Sequence, residues 1–350
     1  MNPILIDAER TRKIPSGLQQ YCDLLIEGLT SIRDDFDVYT SPNLPLHPSR
    51  IRPFHTYHRI FNPFPRPYRL MHITHQAQVY LPFSPRDGKV LLTIHDINYI
   101  HHATSPYRLK SFISTVRRNI RRANHIVCIS EFVREDLMAH SHLFPEVKDC
   151  PISVIHNGLK FDTLAAPLHE FLPSKSYILN IGQAIPKKNQ LSLVRMLPYI
   201  PMDLVCIVDR VNASYAIQLK EAARELGVER RIWLMEKVSE GEKQSLLKHA
   251  VAYVHPSLAE GFGYPPIEAM YHGTPVFLSR LCSLPEIGGE YAYYFDDFDP
   301  QAMALLLHNG LEEHASDIRR PNNLRQHALQ FDYHRMAAKY SRLYDQILGL

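Results

Sequence analysis

Two carboxylates bracket a glycine- and proline-rich stretch, which reads Glu-Gly-Phe-Gly-Tyr-Pro-Pro-Ile-Glu from Glu260 to Glu268. Gly261 and Gly263 permit positive φ and leave no side chain above the backbone, so a ligand can approach the N–H groups of Gly261, Phe262 and Gly263. The two prolines suit the first turn of a helix, whose N-terminus offers unpaired N–H groups and positive dipole charge to an anion. Carboxylates on both sides of an anion-binding corner suit a ligand with hydroxyls at both ends and phosphates between them, as in a nucleotide sugar.

A lysine pair ends a second turn, which reads Gly-Gln-Ala-Ile-Pro-Lys-Lys-Asn from Gly182 to Asn189. When a nucleoside diphosphate departs, negative charge grows on its phosphates, and cations at a helix start can stabilise that charge as it develops. We expect Lys188 to contribute most and Lys187 second. A lysine pair alone is usually plain surface, so this interpretation depends on the sequence around it.

His95 and Asp96 follow the apolar run Val90–Ile94, which reads as a buried strand. Open α/β sheets bind ligands beyond the carboxyl ends of their strands, and this is where the two side chains would lie. The chain has 20 histidines, so a lone histidine carries little weight, and position is what distinguishes His95.

The stretch Asp296-Asp297-Phe298-Asp299 contains an Asp-x-Asp pattern. Such a pair can hold a divalent cation on a diphosphate, but its place before Pro300 favours a loop that caps the next helix. No Gly-x-Gly-x-x-Gly and no P-loop pattern is present, which disfavours a dinucleotide oxidoreductase and a P-loop enzyme. We therefore expect neither a metal nor another cofactor.

These stretches closely resemble the retaining GT-B-fold glycosyltransferases of family 4 (glycosyl transferases group 1), of the bacterial surface-polysaccharide type. That family carries two glutamates separated by seven residues after a Pro-Ser pair, here Pro256-Ser257. Further landmarks follow the family's order over most of the chain: Thr93–Asn98, Ile129–Phe132, Ile155–Gly158, Gly182–Asn189 and Ser283–Glu286.

The resemblance implies roles for individual residues. Glu268 would bind both ribose hydroxyls, while Glu260 would lie beside the donor sugar and stabilise positive charge at the anomeric carbon. His95 would reach the donor sugar, and Asp96 would shape the site or receive the acceptor hydroxyl.

Two glycines complete the implied site. Gly17 would open a helix near the diphosphate or acceptor, and Gly182 would open the phosphate loop. Many family members carry arginine directly after that second glycine, where this chain has Gln183, so the division of work between Lys187 and Lys188 stays open.

The implied fold class is α/β: a GT-B architecture of two doubly wound Rossmann-like domains facing a central cleft. Alternating strand and helix patterns in both halves agree with parallel sheets. We place an acceptor-side domain at 1–165 and a nucleotide-sugar-binding domain at 166–330, with a helix at 331–350 that packs back on the first domain. Asn157 to Ser176 reads as the linker.

Residues 50–69 combine basic and aromatic side chains, with prolines between them. Arginines can meet lipid phosphates while aromatics sit at the interface, so this loop could bind the acceptor or an anionic membrane surface. The alternative is an ordinary solvated loop with ring-stacked arginines. No compact RNA-binding signature accompanies it, and we expect no nucleic-acid partner. The arginines assigned to this surface are Arg50, Arg52, Arg59 and Arg66.

The five cysteines are scattered and form no Cys-x-x-Cys pair, so they indicate neither a zinc site nor a disulfide framework. The start carries no signal-peptide pattern, and no apolar run approaches about 18 residues. We expect a cytoplasmic protein, with the inner face of the cytoplasmic membrane as its place of work if the basic loop binds lipid.

The sequence thus predicts a metal-independent hexosyltransferase that moves a sugar from a nucleotide-diphosphate donor to a hydroxyl of a glycan or lipid-linked saccharide, in surface-polysaccharide or lipopolysaccharide assembly. The His-Asp strand end and the Pro-Lys-Lys-Asn loop resemble those of mannosyl- and related transferases of bacterial surface polysaccharides, and this resemblance implies GDP-mannose as donor. Two alternatives stay open: an epimerase- or phosphorylase-like enzyme of the same fold, and a non-catalytic nucleotide-sugar-binding subunit.

Overall fold

A computed structural model describes residues 3–9, 17–40, 50–61, 68–81, 88–102, 105–161, 176–208, 211–236 and 238–350. The chain divides into two compact units: Met1–Lys160 with Phe331–Leu350 forms the first, and Phe161–Gln330 forms the second. Each unit is built on one parallel sheet.

The sheet of the first unit has seven strands in the order β3-β2-β1-β4-β5-β6-β7. Its central strands are buried from end to end, as expected for parallel strands covered by helices. The strands are β1 (Ile4–Asp7), β2 (Phe36–Thr40), β3 (Ile51–Pro53), β4 (Leu70–Ile73), β5 (Lys89–Ile94), β6 (His125–Cys128) and β7 (Ile152–Val154).

The helices of the first unit include the last one in the chain. They are α1 (Gly17–Thr30), α2 (Tyr99–His102), α3 (Pro106–Arg122), α4 (Glu131–Ala139) and α12 (Tyr333–Leu348). α12 packs on α1 so closely that a methyl group added at Gly28 would lie 2.6 Å from the Cβ of Ala337. Ser130 caps α4 by accepting from the Val133 N–H at 3.2 Å.

The sheet of the second unit has six strands in the order β10-β9-β8-β11-β12-β13. The strands are β8 (Tyr177–Ile181), β9 (Asp203–Ile207), β10 (Ile232–Met235), β11 (Ala252–His255), β12 (Val276–Ser279) and β13 (Tyr293–Phe295). The helices are α5 (Gln190–Met196), α6 (Ala213–Glu225), α7 (Glu240–His249), α8 (Tyr264–Tyr271), α9 (Leu284–Gly288), α10 (Pro300–Ser316) and α11 (Arg320–Ala328).

Two stretches differ from the sequence-based interpretation. Residues 50–69 are not simply a loop, because β3 adds an edge strand to the sheet through pairing with β2. The linker does not begin at Asn157: Leu159 donates from its N–H to the Phe331 carbonyl at 2.7 Å and accepts from the Tyr333 N–H at 3.0 Å. Residues 157–160 therefore belong to the first unit.

Candidate functional site

The second sheet reverses its direction of winding between β8 and β11, which are neighbours although two strands separate them in sequence. Ligands of open α/β sheets bind at such a switch point, beyond the carboxyl ends of the strands. The turn after β8 and the loop after β11 are tied together there. The Lys187 carbonyl accepts from the Leu258 N–H at 2.7 Å and from the Ser257 hydroxyl at 3.2 Å.

A buried cluster of three charged or polar side chains lies at this point. Oε1 of Glu260 accepts from Nζ of Lys188 and from Nε2 of His255, the latter at 2.6 Å. The Glu260 and Lys188 side chains are only 13% and 15% exposed, so water screens their ion pair weakly. Oε2 of Glu260 has no hydrogen-bond donor within the described parts of the chain.

The electrostatics keep Glu260 ionised and His255 neutral. Burial alone would raise the pKa of Glu260, but the charge of Lys188 and the hydrogen bond from His255 outweigh it and hold that pKa well below its ordinary value. Burial lowers the pKa of His255, although Glu260 opposes the shift. A neutral imidazole facing a carboxylate must carry its proton on Nε2.

A tyrosine stabilises that tautomer of His255 through a hydrogen bond to the other ring nitrogen. The hydroxyl of Tyr253 lies 2.9 Å from Nδ1 of His255, which must accept because Nε2 carries the proton. Tyr253 is fully buried and its ring stacks on His255. The sequence interpretation missed both residues. The only signal was a Tyr-x-His pattern at the end of an apolar strand, where both side chains fall on one face.

The glycine-rich loop enters α8 with unusual backbone geometry. Gly263 has a φ of 110°, a conformation that side chains strain, and it directly precedes the helix. The Ser283 hydroxyl holds the loop by donating to the Phe262 carbonyl at 2.8 Å. Gly182, with a φ of 155°, opens the turn that ends in Lys188, and its N–H donates to the Ile207 carbonyl at 3.0 Å.

Glu268 lies one turn inside α8 and is paired as well. Its Oε1 accepts from Nζ of Lys243 on α7 at 2.8 Å, and Lys243 also contacts Glu240 at 2.9 Å. Burial alone would lower the pKa of Lys243, but Glu268 and then Glu240 outweigh it and raise that pKa. Lys243 is a third residue that the sequence interpretation missed.

The structure thus brings eight predicted site residues to the switch point of the second unit: Gly182, Lys187, Lys188, Glu260, Gly261, Phe262, Gly263 and Glu268. The two lysines differ there. The ammonium of Lys188 is bound to Glu260, whereas that of Lys187 has no partner among the residues that the structure describes.

His95 and Asp96 lie beyond β5 in the first unit, as predicted from the apolar run before them. Nε2 of His95 donates to the Thr74 carbonyl at 2.9 Å. The backbone N–H of His95 donates to Oε1 of Gln76 at 3.1 Å. Burial lowers the pKa of His95 to about 4, so the neutral ring keeps Nδ1 as an acceptor. Oδ1 of Asp96 accepts from the Asn98 N–H at 3.1 Å. Gly17 opens α1 and is exposed.

The arginines of residues 50–69 have unequal surroundings. Arg52 is bound to the buried carboxylate of Asp37 and donates to the Tyr68 hydroxyl at 3.0 Å. The guanidinium groups of Arg50 and Arg59 lie 5.6 Å and 5.7 Å from the ring centres of Phe36 and Tyr80. Arg66 falls outside the described residues.

The Asp-x-Asp pattern forms a helix cap, as predicted. Oδ1 of Asp299 accepts from the N–H groups of Gln301 and Ala302 at 3.0 and 2.9 Å, which caps α10. Oδ1 of Asp297 accepts from the Asp299 N–H at 2.9 Å.

Comparison with known proteins gives matches over both units. Residues 15–162 match the family described as Glycosyltransferase Family 4, and residues 169–330 match Glycosyl transferases group 1. The O-antigen chain mannosyltransferase RfbU of Salmonella typhimurium is 27% identical over 70% of this chain and 66% of its own length. O-antigen chain mannosyltransferase B of Escherichia coli is 26% identical over 69% of this chain and 66% of its own length.

This chain therefore spans just under two thirds of the length of each of these relatives. Among solved structures, sucrose-phosphate synthase from Thermosynechococcus elongatus matches with a TM-score of 0.78 at 19% identity, over 100% of both chains. This likeness confirms the predicted fold class, GT-B with Rossmann-like units.

Proposed function

Since this chain belongs to the glycosyl transferases of group 1 and family 4, we propose that it moves a sugar from a nucleotide-diphosphate donor to a hydroxyl of a saccharide acceptor, with retention at the anomeric carbon. The observation that carries the proposal is the Lys188–Glu260–His255 cluster at the switch point of the second sheet. This cluster offers a cation for phosphates and an ionised carboxylate for a sugar within one small volume.

Lys188 stabilises the departing diphosphate. Its ammonium has three donors, and the contact with Glu260 uses one of them while fixing the group in place. A cation held in advance at a weakly hydrated site stabilises growing negative charge without reorganising first. Lys187, whose ammonium has no partner among the described residues, adds a second, less fixed charge. The two lysines replace a divalent cation, so we propose that turnover needs no metal.

Glu260 binds the donor sugar. Its Oε2 accepts from a sugar hydroxyl, and its negative charge stabilises the oxocarbenium-like transition state at the anomeric carbon. Double displacement would require a nucleophilic carboxylate next to that carbon. Glu260 is unsuited to this role, because Lys188 and His255 occupy Oε1 and lower the basicity of the carboxylate. We therefore favour front-face attack, in which the departing phosphate oxygen takes the proton of the acceptor hydroxyl.

Glu268 binds the ribose of the nucleotide. A carboxylate accepts hydrogen bonds from both hydroxyls of a vicinal diol, and the ion pair with Lys243 keeps Glu268 oriented for this contact. The N–H groups of Gly261, Phe262 and Gly263 contact the donor. In the first unit, Nδ1 of neutral His95 accepts from a sugar hydroxyl, Asp96 serves the acceptor and Gly17 approaches the phosphates.

We propose GDP-mannose as the donor and a lipid-linked saccharide of surface-polysaccharide or lipopolysaccharide assembly as the acceptor. The support is that the two relatives described above are O-antigen chain mannosyltransferases. Among the described residues no helix is both long and apolar enough to cross a membrane. Contact with a lipid-linked acceptor requires a surface that suits a membrane.

Residues 57–61 offer such a feature in the first unit. Tyr57, Ile60 and Phe61 are 55%, 69% and 65% exposed, and Arg59 lies among them. Apolar side chains beside a cation suit the boundary between acyl chains and anionic headgroups. Arg52 contributes to this surface less than its sequence position indicates, because it is bound to Asp37.

Donor screening tests the function. Each nucleotide sugar is added to the full chain in a thermal-shift assay, since a ligand at 100 times its Kd adds about 2.7 kcal/mol of stability. We expect GDP-mannose to raise the Tm most and to be hydrolysed slowly without acceptor. The anomeric configuration of the transferred sugar is then read by NMR. Binding without hydrolysis or transfer would favour a binding subunit, and an epimerised sugar nucleotide would favour an epimerase.

Vesicle sedimentation tests the surface. The double substitution Ile60→Ser with Phe61→Ser should release the protein from anionic vesicles, and Arg59→Gln should cost about 1 kcal/mol of binding. Leu305→Ser is the control, because Leu305 is 60% exposed in the second unit. Equal binding by all four proteins would remove the membrane surface from the proposal while leaving the donor chemistry intact.

A further inference from the structure

Three side chains able to bind a metal meet at the surface of the first unit, outside every residue assigned above. His101 lies on α2, Asp136 lies on α4, and His140 directly follows α4. One ligand atom from each lies within 4.8 Å of the other two. His101 is exposed and the other two are half-buried, so an ion from solvent can reach the group.

The spacing of these atoms fits a transition metal. Nε2 of His101 and Nδ1 of His140 lie 3.2 Å and 3.1 Å from Oδ1 of Asp136. Tetrahedral zinc with bonds of about 2.0–2.1 Å separates neighbouring ligand atoms by about 3.3 Å. The two edges that include Asp136 therefore need to open by only a few tenths of an ångström.

Two ligands come from α4 and its C-terminal end. Asp136 lies on α4 and His140, four residues later, is the residue that directly follows it, so their side chains lie on the same side of the helix. Nδ1 of His140 now lies 2.8 Å from the Asp136 carbonyl and donates to it. An ion at Nδ1 would displace that proton to Nε2 and replace one hydrogen bond.

We propose that His101, Asp136 and His140 bind a divalent transition-metal ion of the zinc class. Two imidazoles and a carboxylate favour zinc or nickel over magnesium, which takes oxygen ligands. The three side chains leave a fourth coordination position for water. This site is separate from the donor chemistry and is not required for it.

The ion would act as a clip. α2 follows the turn that carries His95 and Asp96, and the bound metal would fasten α2 to α4, on the next strand–helix unit of the sheet. A cross-link between residues 35 apart removes freedom from the intervening chain. The clip therefore restrains the segment beyond β5.

Calorimetric titration of ZnCl₂ into the metal-stripped full chain, without nucleotide or acceptor, tests the site. We expect binding of one ion with a raised Tm, and no binding of MgCl₂. His101→Ala and His140→Ala should each weaken binding at least tenfold, because even residues that only orient a metal ligand contribute about 10–100-fold to metal affinity.

His308→Ala is the matched control. His308 forms an exposed pair with Glu312 at 3.3 Å, a histidine and a carboxylate four residues apart without a third ligand. Its removal should leave zinc affinity unchanged. Equal affinity in the wild type and both site variants would overturn the proposal, as would an equal loss in His308→Ala.

Amide exchange tests the clip itself. Saturating Zn²⁺ should slow exchange in α2, and unchanged exchange at full occupancy would overturn that part. Because these measurements need no donor sugar, their failure leaves the glycosyltransferase proposal standing, and the reverse also holds.

Discussion

Glu260 shows how one carboxylate is prepared for a sugar. His255 fixes one oxygen by donating a hydrogen bond from its neutral ring, Lys188 adds a charge, and burial keeps both contacts strong. The cost of burying the charge is offset because the carboxylate and the ammonium enter the site together. The result is an ionised acceptor of fixed orientation whose second oxygen is available to a ligand.

Glu268→Ala should weaken donor binding, because hydrogen bonds to a charged group contribute about 1.5–3 kcal/mol. Calorimetric titration with the nucleotide donor measures the loss. Glu240→Ala is the control: it also removes a carboxylate from Lys243 but lies outside α8. A folded Glu268→Ala protein with unchanged donor Kd would disprove the ribose contact, and an equal loss in Glu240→Ala would assign the effect to Lys243.

Lys188→Ala should lower kcat about 10²–10³-fold and weaken donor binding much less, because the charge that it meets grows in the transition state. Lys187→Ala should have a smaller effect, since its ammonium is not held by Glu260. Steady-state kinetics with and without EDTA separate the possibilities. Activity lost to EDTA and restored by Mn²⁺ would show that a metal, not the lysines, stabilises the leaving group.

At the scale of elements, the close approach of α12 to α1 depends on a residue without a side chain. Gly28→Ala would place a methyl group 2.6 Å from the Cβ of Ala337, inside any real contact distance. We expect a loss of about 1–3 kcal/mol in the free energy of unfolding, the usual cost of overpacking.

Urea denaturation of a double variant checks the cause. Ala337→Gly removes the methyl group that the new one meets, so Gly28→Ala with Ala337→Gly should recover part of the lost stability. Additive losses in the double variant would place the strain elsewhere, for example against the Tyr333 carbonyl at 3.3 Å.

Buried polar side chains join α12 to the sheet at the same place. The Tyr21 hydroxyl donates to the Tyr340 hydroxyl at 2.8 Å, and His72 lies 2.6 Å from the Tyr344 hydroxyl and 2.8 Å from that of Thr93. The Tyr21 ring also packs edge-on against His95, with ring centres 4.7 Å apart. The last helix therefore supports the surroundings of His95.

At the scale of the whole molecule, stability should depend on pH through buried histidines. Burial lowers the pKa of His72 to about 3 and that of His95 to about 4, from 6.5. Below pH 6.5 the unfolded chain binds protons that the native chain does not, so the free energy of unfolding decreases as the pH is lowered. The slope should approach about 1.4 kcal/mol per pH unit for each histidine until pH 4.

Urea denaturation at pH 7, 6 and 5 measures this slope. His72→Gln should reduce it by one histidine's share, because that side chain is fully buried. A slope that is the same in His72→Gln would show that His72 does not cause it. Glu260 affects stability in a lower pH range. Its lowered pKa contributes stability to the folded state, and this contribution is lost only as the pH falls below about 4.5.

Local patterns made much of the fold predictable. The apolar run Val90–Ile94 marked β5, because parallel strands between helices are apolar on both faces. β2 and β3 could not be recognised from an apolar run. β2 carries Asp37 among its buried residues, and the ion pair with Arg52 of β3 and the hydrogen bond from the Tyr68 hydroxyl offset the cost of burying that carboxylate. Such a pair becomes visible once the strands are placed side by side.

By itself, the sequence determined the chemical parts of the candidate site: two glutamates around a helix start, a lysine turn and a His-Asp strand end. Their residue types and local spacing are enough to indicate phosphate and sugar binding. Only the tertiary structure decided their partners. Lys188 and Glu260 are 72 residues apart, and Lys243 and Glu268 are 25 apart. Crossovers of a parallel sheet bring such distant segments together, because neighbouring strands need not be consecutive in sequence.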